Sequence, residues 1–419
     1  MSNTCDNNST RRENSWLAWL ITLSAGLLFF YEFIQLNAMN SLSGSLIKNF
    51  HLSAVTLGDL SAMYFIANAS LVFIAGNILD RFSPRRVTLA ATLLCVIGTI
   101  GFALSQSLMM LEVSRFIVGT GGAFCFLCGM RVASRWFTPN RLGAVTGILV
   151  TMAMLGGMVA QTPLTLLIEH FGWRHALLLD AALGIIIFTF MFCTISDSPE
   201  YKIIQPHQRT QKKILPHILT AISKKQNWLS ATYCSCINLP IFILGALWGV
   251  SYLQQVHGLS ADISASICGM LFFGSIVGSP IIGAFSDHIG RRRSPMIIGA
   301  ILSAAAVILL IQVSGQHTIL LGLAFFALGF ISSTQVLSYS LVNESNSGEV
   351  TGTAVSLISM VTLAGGATFQ PYFGHLMEAM KSQHTQLYAY QHAIWLLPVI
   401  MGVGFLCSLL LKETYAKRK

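Results

Sequence analysis

Six ionisable side chains fall inside long apolar runs of the sequence: Glu32, Asp59, Glu112, Arg115, Arg131 and Asp180. A charge within that much apolar sequence is costly to bury, and such residues mark functional sites more often than surface charges do. A buried carboxyl group can take up and release a proton, and an arginine that approaches or leaves it changes how tightly the proton is held. The first chemistry that the sequence indicates is therefore reversible proton binding.

Glu32 and Arg115 are the pair that we expect to carry this chemistry. Counted inward from the ends of their apolar runs, the two residues lie at a similar depth, about 10 Å at the rise of an α-helix. Glu112 precedes Arg115 by three residues on the same helix face and is a rival partner for it. A static ion pair between two helices is the alternative to a pair that moves.

The other three charged residues have structural explanations. Asp59 and Asp180 fall near the ends of their apolar runs, so we expect helix-start or interfacial roles for both. Arg131 lies one turn from the end of its run and can extend its head group out of the apolar region. None of the three is expected to bind a proton or a solute.

A second set of polar and amphipathic side chains in the runs could line a cavity. Its members are Tyr31, Gln35, Tyr64, Asn68, Gln161, Asn238, Trp248, Tyr252 and Gln370. Tyr64 and Asn68 share a helix face because they are four residues apart, as are Trp248 and Tyr252. Hydrogen bonding between helices is the alternative role for each amide. The mixture predicts a small polar substrate.

Long membrane helices must position these residues. The chain has 419 residues, of which 54% are hydrophobic and 10% charged, whereas a soluble domain carries about 25% charged residues. This composition excludes a soluble or disordered protein, and only helices satisfy their own backbone groups in a bilayer. The apolar runs predict twelve spans, at residues 16–38, 55–78, 87–106, 109–134, 142–168, 175–195, 230–256, 264–286, 295–313, 317–341, 350–377 and 391–411.

The basic residues predict the direction of the spans. Of the 25 Lys and Arg residues, 20 fall in the tails and in the loops on the side of the tails, and three fall in the opposite loops. Cytoplasmic loops are the basic ones, so both termini are expected in the cytoplasm. The net charge of +9 is thereby explained, and we expect no nucleic-acid partner.

One long polar stretch, residues 196–228, divides the chain. It is basic, contains three prolines and separates six predicted spans from six others. We therefore predict a cytoplasmic tail (1–15), a six-helix bundle (16–195), a cytoplasmic linker (196–228), a second six-helix bundle (229–411) and a final tail (412–419).

The second and eighth spans end in similar motifs. The first reads Gly76-Asn-Ile-Leu-Asp80-Arg81-Phe-Ser-Pro-Arg85-Arg86, and the second reads Gly283-Ala-Phe-Ser-Asp287-His-Ile-Gly290-Arg291-Arg292-Arg293. Two such motifs about half a chain apart indicate duplicated halves.

These motifs resemble the signature loop of the major facilitator superfamily, which joins the second and third helices of each half. Residues 115–122 and 171–174 are similar to two further elements of that family. The first two spans also resemble bacterial relatives of the lysosomal dipeptide carriers. The resemblance implies an all-α membrane protein in which two pseudo-symmetric six-helix bundles move a solute by alternating access.

We expect the signature loops to take part in a gate on the cytoplasmic side. The side chains concerned are Asp80, Arg81, Arg85, Arg86, Asp287, Arg291, Arg292, Glu344 and Glu349. The loop with Glu344 and Glu349 has no basic residue, so we expect the arginines of the first half to pair with it. Ordinary topology charge is the alternative, and because an exposed pair contributes about 0–1 kcal/mol, a lock would need several.

The function that we expect is proton-coupled secondary transport of a small polar solute, such as an amino acid, a peptide or an organic acid. The sequence has no phosphate-binding loop for ATP and no motif that indicates an enzyme. Cys125 and Cys128 lie within a span without further ligands, so we expect buried thiols and no metal site. We expect no cofactor, a monomeric state, and a multi-pass location in a bacterial inner membrane, in contact with the lipid bilayer.

Two alternative functions stay open. One is a drug or metabolite efflux antiporter, which the fifth span disfavours because it lacks the tight Gly-Pro-Gly-Gly run that the resemblance associates with drug/proton antiporters. The other is a transporter-like receptor that binds a solute without moving it, for which a signalling domain would be expected. The residues alone do not name the substrate.

Overall fold

The chain folds into membrane-length helices. The computed structural model describes residues 16–137, 139–196, 214–313 and 317–415, and within these ranges there is no β-strand. Eleven helical stretches are long and apolar enough to cross a membrane. One of them, Arg141–Thr194, is 54 residues long and holds two spans, because Gly172 breaks it with a φ of 77°. The predicted all-α, twelve-span architecture is confirmed.

The first half contains spans one to six. Their helices are Trp16–Phe50, Ala54–Arg81, Pro84–Ala103, Leu108–Gly122 with Cys125–Trp136, Pro139–Val159 with the start of Thr162–Thr194, and the part of Thr162–Thr194 that follows Gly172. The fourth span is interrupted at residues 123–124, and the fifth span is interrupted at residues 160–161.

The second half contains spans seven to twelve, preceded by a short helix, Ile214–Ser223. The seventh span consists of Lys225–Pro240, a π-helical turn at Ile241–Trp248, and Gly249–His257. The remaining helices are Ala261–Ile289, Arg293–Gln312, Thr318–Ser332 with Ser333–Val336 and Leu337–Ser345, Gly348–Lys381, and Gln386–Ala393 with Leu396–Leu410.

An even number of spans brings Trp16 and Tyr415 to one side of the bundle, which we call the terminal side; the opposite side is the far side. The far-side turns have residues suited to them. Ser53 and Ser107 cap the second and fourth spans by accepting a hydrogen bond from a main-chain N–H group three residues on. Gly172 and Gly258 have φ values of 77° and 66°, which glycine adopts without a steric penalty.

The two halves pack tightly near the far side, where the second span meets the eleventh. A methyl group added at Gly58 would lie 2.8 Å from the Cα atom of Pro371. Deeper in the bundle, the rings of Phe65 and Phe242 lie 4.9 Å apart across the same seam. Small residues allow such close approach of membrane helices, and the far side of the bundle is therefore closed along this seam.

The predicted domain boundaries stay a prediction. The segments 1–15, 197–213 and 416–419 lie outside the described residues, and with them most of the predicted linker and tails. The described helices before residue 196 and after residue 224 are compatible with a division into two groups of six spans.

Candidate functional site

Three polar side chains from the first and second spans converge on Gly122 of the fourth span. A methyl group at Gly122 would lie 2.7 Å from the hydroxyl oxygen of Tyr64, 2.8 Å from the amide nitrogen of Asn68 and 3.0 Å from Oε1 of Glu32. Each of the three side chains belongs to a residue that is at most 6% exposed. Glycine at this position lets the polar atoms meet. We call Glu32, Tyr64, Asn68 and Gly122 the Gly122 site.

Arg115 lies next to the Gly122 site on the same span as Gly122. Its guanidinium group lies 5.1 Å from the ring centre of Tyr64, and its Nη1 donates a 2.7 Å hydrogen bond to the main-chain carbonyl of Gln35. Its Nε and Nη2 atoms are buried and have no hydrogen-bond partner within the described part of the chain. The carboxyl group whose charge acts on Arg115 is that of Glu32. Glu112, the rival partner, is only partly buried.

Gln35 is the centre of a buried network behind Arg115. Its amide nitrogen donates a short hydrogen bond to Asp180 of the sixth span. Its side-chain oxygen accepts a 2.9 Å hydrogen bond from Thr99 of the third span, and Thr99 also lies 3.5 Å from the hydroxyl group of Tyr31. Since Arg115 bonds to the main chain of the same glutamine, four spans are joined at this level.

The expectation for Asp180 was wrong. Its residue is 6% exposed, and its carboxylate lies inside the bundle rather than at an interface. The apolar run predicted a span beginning near residue 175, whereas the helix turns at Gly172 and carries Asp180 about 12 Å inward at helical rise. A sequence signal existed, because Asp180 lies on the same stripe as the buried residues Ala176, Gly184 and Ile187.

The far side of the seam holds a second group of polar side chains. The amide nitrogen of Asn40 lies 2.9 Å from Oε1 of Gln161, 3.0 Å from the carbonyl oxygen of Leu244 and 3.1 Å from that of Gly245. The Oδ1 atom of Asn40 accepts a 2.9 Å hydrogen bond from the N–H group of Val250.

Gln161 donates a 2.9 Å hydrogen bond to the carbonyl oxygen of Gly245. The π-helical turn widens the seventh span here, and a wide turn frees main-chain groups that need new partners. We call Asn40, Gln161 and the main-chain groups of Leu244, Gly245 and Val250 the far latch. Both polar atoms of the Gln161 amide are engaged in it, although the sequence placed Gln161 in a substrate cavity.

The cavity candidates of the second half are all buried in this structure. The side-chain amide of Gln370 donates a 2.7 Å hydrogen bond to the carbonyl oxygen of Phe242. The main-chain carbonyl oxygen of Gln370 accepts a 3.3 Å hydrogen bond from the indole N–H group of Trp248. Tyr252 packs edge-on against Tyr390. Asn238, on the seventh span, is 8% exposed. Of the predicted cavity residues, Tyr64 and Asn68 are the ones that the structure brings together with Glu32.

Where their side chains are described, the predicted gate residues make the following contacts within their own halves. Arg292 forms ion pairs of 2.7 Å with Asp287 and 2.9 Å with Glu344, all in the second half. Arg85 donates a 2.8 Å hydrogen bond to the carbonyl oxygen of Phe192 in its own half. Arg81, Arg86 and Arg291 are exposed. The side chains of Asp80 and Glu349 lie outside the described residues, and a pairing between the halves stays a prediction for a state closed at the terminal side.

Glu413 was not predicted from the sequence as a functional residue, although its side chain bonds to the start of the ninth span. Its carboxylate accepts hydrogen bonds of 2.8 Å and 3.0 Å from the N–H groups of Arg292 and Arg293, and Thr414 donates a 2.7 Å hydrogen bond to Glu344. We call Arg292, Arg293, Glu344, Glu413 and Thr414 the terminal clamp. No signal in the sequence singles out Glu413, because its partners lie about 120 residues earlier in the chain.

The hydrogen bonds of the terminal clamp shift two pKa values. Burial alone would raise the pKa of Glu413, but main-chain N–H groups, those of Arg292 and Arg293 foremost, hold it below its ordinary value. Burial alone would lower the pKa of Arg292, but the hydrogen bond and charge of Glu344, together with Asp287, raise it above its ordinary value. Both groups are therefore held in their charged forms.

Comparison with known proteins gives a consistent result over the whole chain. The model of the family described as Major Facilitator Superfamily matches residues 21–273 and 235–419. The probable sulfoacetate transporter SauU of Cupriavidus necator is 23% identical over 406 residues, which cover 91% of each chain. The membrane sensor protein UhpC of Escherichia coli is 22% identical over 377 residues, which cover 83% of each chain.

Among solved structures, a bacterial homologue of the human lysosomal transporter Spinster superimposes with a TM-score of 0.73 at 14% sequence identity, covering 95% of this chain and 97% of the other. At that identity the match shows a shared fold. The predicted two-bundle fold is thus supported by a sequence comparison and by a structural one.

Proposed function

The chain belongs to the Major Facilitator Superfamily, and from this premise we propose that it is a proton-coupled secondary transporter that imports a small polar solute by alternating access. Its relatives include transporters, and transport is the general activity that they support. The observation that carries the finer proposal is the meeting of Glu32, Tyr64 and Asn68 above Gly122, with Arg115 beside them.

The proposed coupling uses the different surroundings of the Glu32 carboxyl group in two states. Tyr64 lies near both members of the charged pair, since its ring faces Arg115 and its hydroxyl group and Oε1 of Glu32 both lie beside Gly122. When Arg115 is close, it stabilises ionised Glu32; when Glu32 takes a proton from water, that attraction is lost. A movement of the fourth span relative to the first would therefore bind or release one proton.

Alternating access requires that one side of the seam is closed while the other opens. The far latch and the contact of Gly58 with Pro371 close the far side in this structure. The basic residues on the terminal side support its placement in the cytoplasm. We propose that the Gly122 site is reached from that side in this state, and that Arg81, Arg85 or Arg86 meets the acidic residues of the second half in the opposite state.

The proposed substrate class is a small polar solute such as an amino acid, a peptide or an organic acid. The Gly122 site offers one carboxyl, one hydroxyl and one amide group. The relative SauU is named for sulfoacetate, a small organic anion, which favours the organic acids within this class. The proposed surroundings are a bacterial inner membrane, a monomeric state, no cofactor and no nucleic acid.

A second candidate function is that of a receptor that binds its solute without moving it. It is favoured by one comparison, the similarity to the membrane sensor protein UhpC. Export with proton antiport is a third arrangement of the same machinery. The three differ in whether solute crosses the membrane and in which direction the proton gradient drives it.

A flux assay in proteoliposomes tests these functions. The purified chain is reconstituted, and a panel of labelled amino acids, dipeptides and organic acids is offered with a pH gradient of either direction. Accumulation driven by inward proton flow is the expected result. Accumulation driven by outward proton flow would show proton antiport, the arrangement for export. Saturable binding without flux would show a receptor. Protein-free vesicles and a collapsed gradient are the controls.

A further inference from the structure

Asp180 is a buried acid that the proposed coupling pair does not use. It sits on the sixth span, is 6% exposed, and accepts a short hydrogen bond from the side chain of Gln35. The groups that face it from the packed spans are the hydroxyl of Tyr31 on the first span and the thiol of Cys95 on the third. The side chains of Gln35, Tyr31 and Cys95, which surround Asp180, are neutral at ordinary pH.

The interior of the first half holds more acid than base. Among its described residues, the buried side chains of the Asp, Glu, Lys and Arg types are those of Glu32, Asp180 and Arg115. The charge of Arg115 is coupled to that of Glu32, and its guanidinium group is bonded to the main chain of Gln35 rather than to Asp180. A buried carboxylate without a cation is costly, and protonation removes that cost.

We propose that Asp180 is a second proton site, which stays protonated through the transport cycle and acts as a positioning residue for Arg115. One carboxyl oxygen accepts the hydrogen bond of Gln35, and the proton resides on the other. The side chain of Gln35, held in this way and by Thr99, fixes the first span against the third and sixth spans, and the main-chain carbonyl of Gln35 in that span accepts the hydrogen bond of Arg115. The inference rests on the proton-coupled function proposed above.

The neutral acid leaves the working pair balanced. With Asp180 uncharged, one Glu32 carboxylate faces one Arg115 guanidinium, and a single proton on Glu32 changes the buried charge by one unit. If Asp180 were ionised, its negative charge would compete with that of Glu32 for Arg115 and weaken the coupling. A protonated Asp180 therefore leaves the charge balance between Glu32 and Arg115 undisturbed during transport.

Infrared absorption spectra of the purified wild-type chain and its variants at several pH values test this directly, because a protonated carboxyl group has a carbonyl stretching band that a carboxylate lacks. The band of Asp180 is expected to persist from mildly acidic to mildly alkaline buffer. It should disappear in Asp180→Asn and remain in Glu32→Gln. A band that titrates away in Glu32→Gln, in which Asp180 is the remaining buried acid of the described first half, or a band unchanged in Asp180→Asn, would overturn the proposal. The spectra require no transport, so a failure of the proposed function is seen separately in the flux assay.

Transport by the same variants supplies a second readout. Asparagine is neutral and can still accept from Gln35, so Asp180→Asn should retain gradient-driven uptake within about twofold and with an unchanged pH profile. Asp180→Leu, which cannot hold Gln35, should reduce uptake at least tenfold. Loss of gradient-driven uptake in Asp180→Asn with counterflow retained would show that Asp180 carries the exchanging proton instead. If Asp180→Asn does not fold, the titration of Glu32→Gln decides.

Discussion

The side-chain amide of Asn40 donates a 2.9 Å hydrogen bond to that of Gln161, and both amides reach the carbonyl oxygen of Gly245 in the other half. Two side chains of the first half thereby satisfy main-chain groups that the wide turn of the seventh span frees. In a membrane those groups have no water to replace lost partners. The closed far side therefore depends on residues from both halves.

We predict that Asn40→Ala weakens the far side. The change leaves the carbonyl oxygen of Leu244 and the N–H group of Val250 without their hydrogen bonds to Asn40, while Gly245 keeps its bond from Gln161. A buried unpaired group costs about 1–3 kcal/mol. The population should shift toward opening, so a cysteine introduced at Ser43 should react at least fivefold faster with a membrane-impermeant thiol reagent from the far side.

Asn37→Ala is the matched control for the latch. Asn37 lies one turn away on the same span and is equally buried, but its amide donates to the carbonyl of Phe33 in its own helix. Labelling should stay at the wild-type rate in this variant. Equal labelling of the Asn40 and Asn37 variants would show that the latch does not hold the far side.

We predict that Glu32→Gln abolishes uptake driven by a pH gradient. Glutamine mimics the protonated acid and keeps its shape, so substrate binding and counterflow exchange should remain measurable while proton coupling is lost. The measured quantity is the ratio of gradient-driven uptake to counterflow exchange in proteoliposomes. Glu112→Gln, which changes a partly buried acid on the span of Arg115, should leave that ratio unchanged.

Two outcomes would change the assignment of Glu32. Full gradient-driven uptake in Glu32→Gln would falsify its role as the proton site. Loss of binding together with loss of uptake would make Glu32 a ligand of the substrate instead.

We predict that Gly122→Ala fills the Gly122 site. The new methyl group would lie 2.7–3.0 Å from polar atoms of Tyr64, Asn68 and Glu32, which are ends of side chains and can move aside. Overpacking of this kind costs about 1–3 kcal/mol, so the protein should fold while uptake falls about tenfold or more. Gly147→Ala is the control, since a methyl group there meets no atom within 4 Å; similar losses in both variants would contradict a role for the site.

The architecture could be predicted because the hydropathy and charge of each segment can be read from consecutive residues. The apolar runs and the basic loops predicted the twelve spans and their direction, but they did not predict where each helix ends. The first helix extends to Phe50, beyond the predicted end at residue 38, because Asn40 and Ser43 interrupt the apolar run while their side chains bond to the other half. Hydropathy counts these residues as polar, whereas tertiary contacts bury them.

The candidate site was predictable where residues of rare type lie on the same helix face. Glu32 and Arg115 stand out as charges in apolar sequence, and the four-residue spacing of Tyr64 and Asn68 predicted a shared face. The role of Gln161 was not predictable in this way, and the depth of Asp180 was missed although its helix face gave a signal. The first depends on carbonyl groups that a π-helical turn exposes, and the second depends on where Gly172 turns the chain.

We predict that the terminal clamp makes the stability of the folded chain depend on pH. Glu413 has a lowered pKa in the folded chain, so its stabilising contribution is present above the ordinary glutamate value of about 4.3 and is lost as the pH falls through the lower folded value. Glu413→Gln should therefore lower the melting temperature at neutral pH and have a smaller effect in acid. Glu344→Gln should also lower the melting temperature at neutral pH, because the buried Arg292 would keep only the exposed Asp287 as an ion-pair partner among the described residues. Thermal unfolding of both variants in detergent across pH provides the measurement, with Glu378→Gln as control; a pH-independent loss in Glu413→Gln would contradict the clamp.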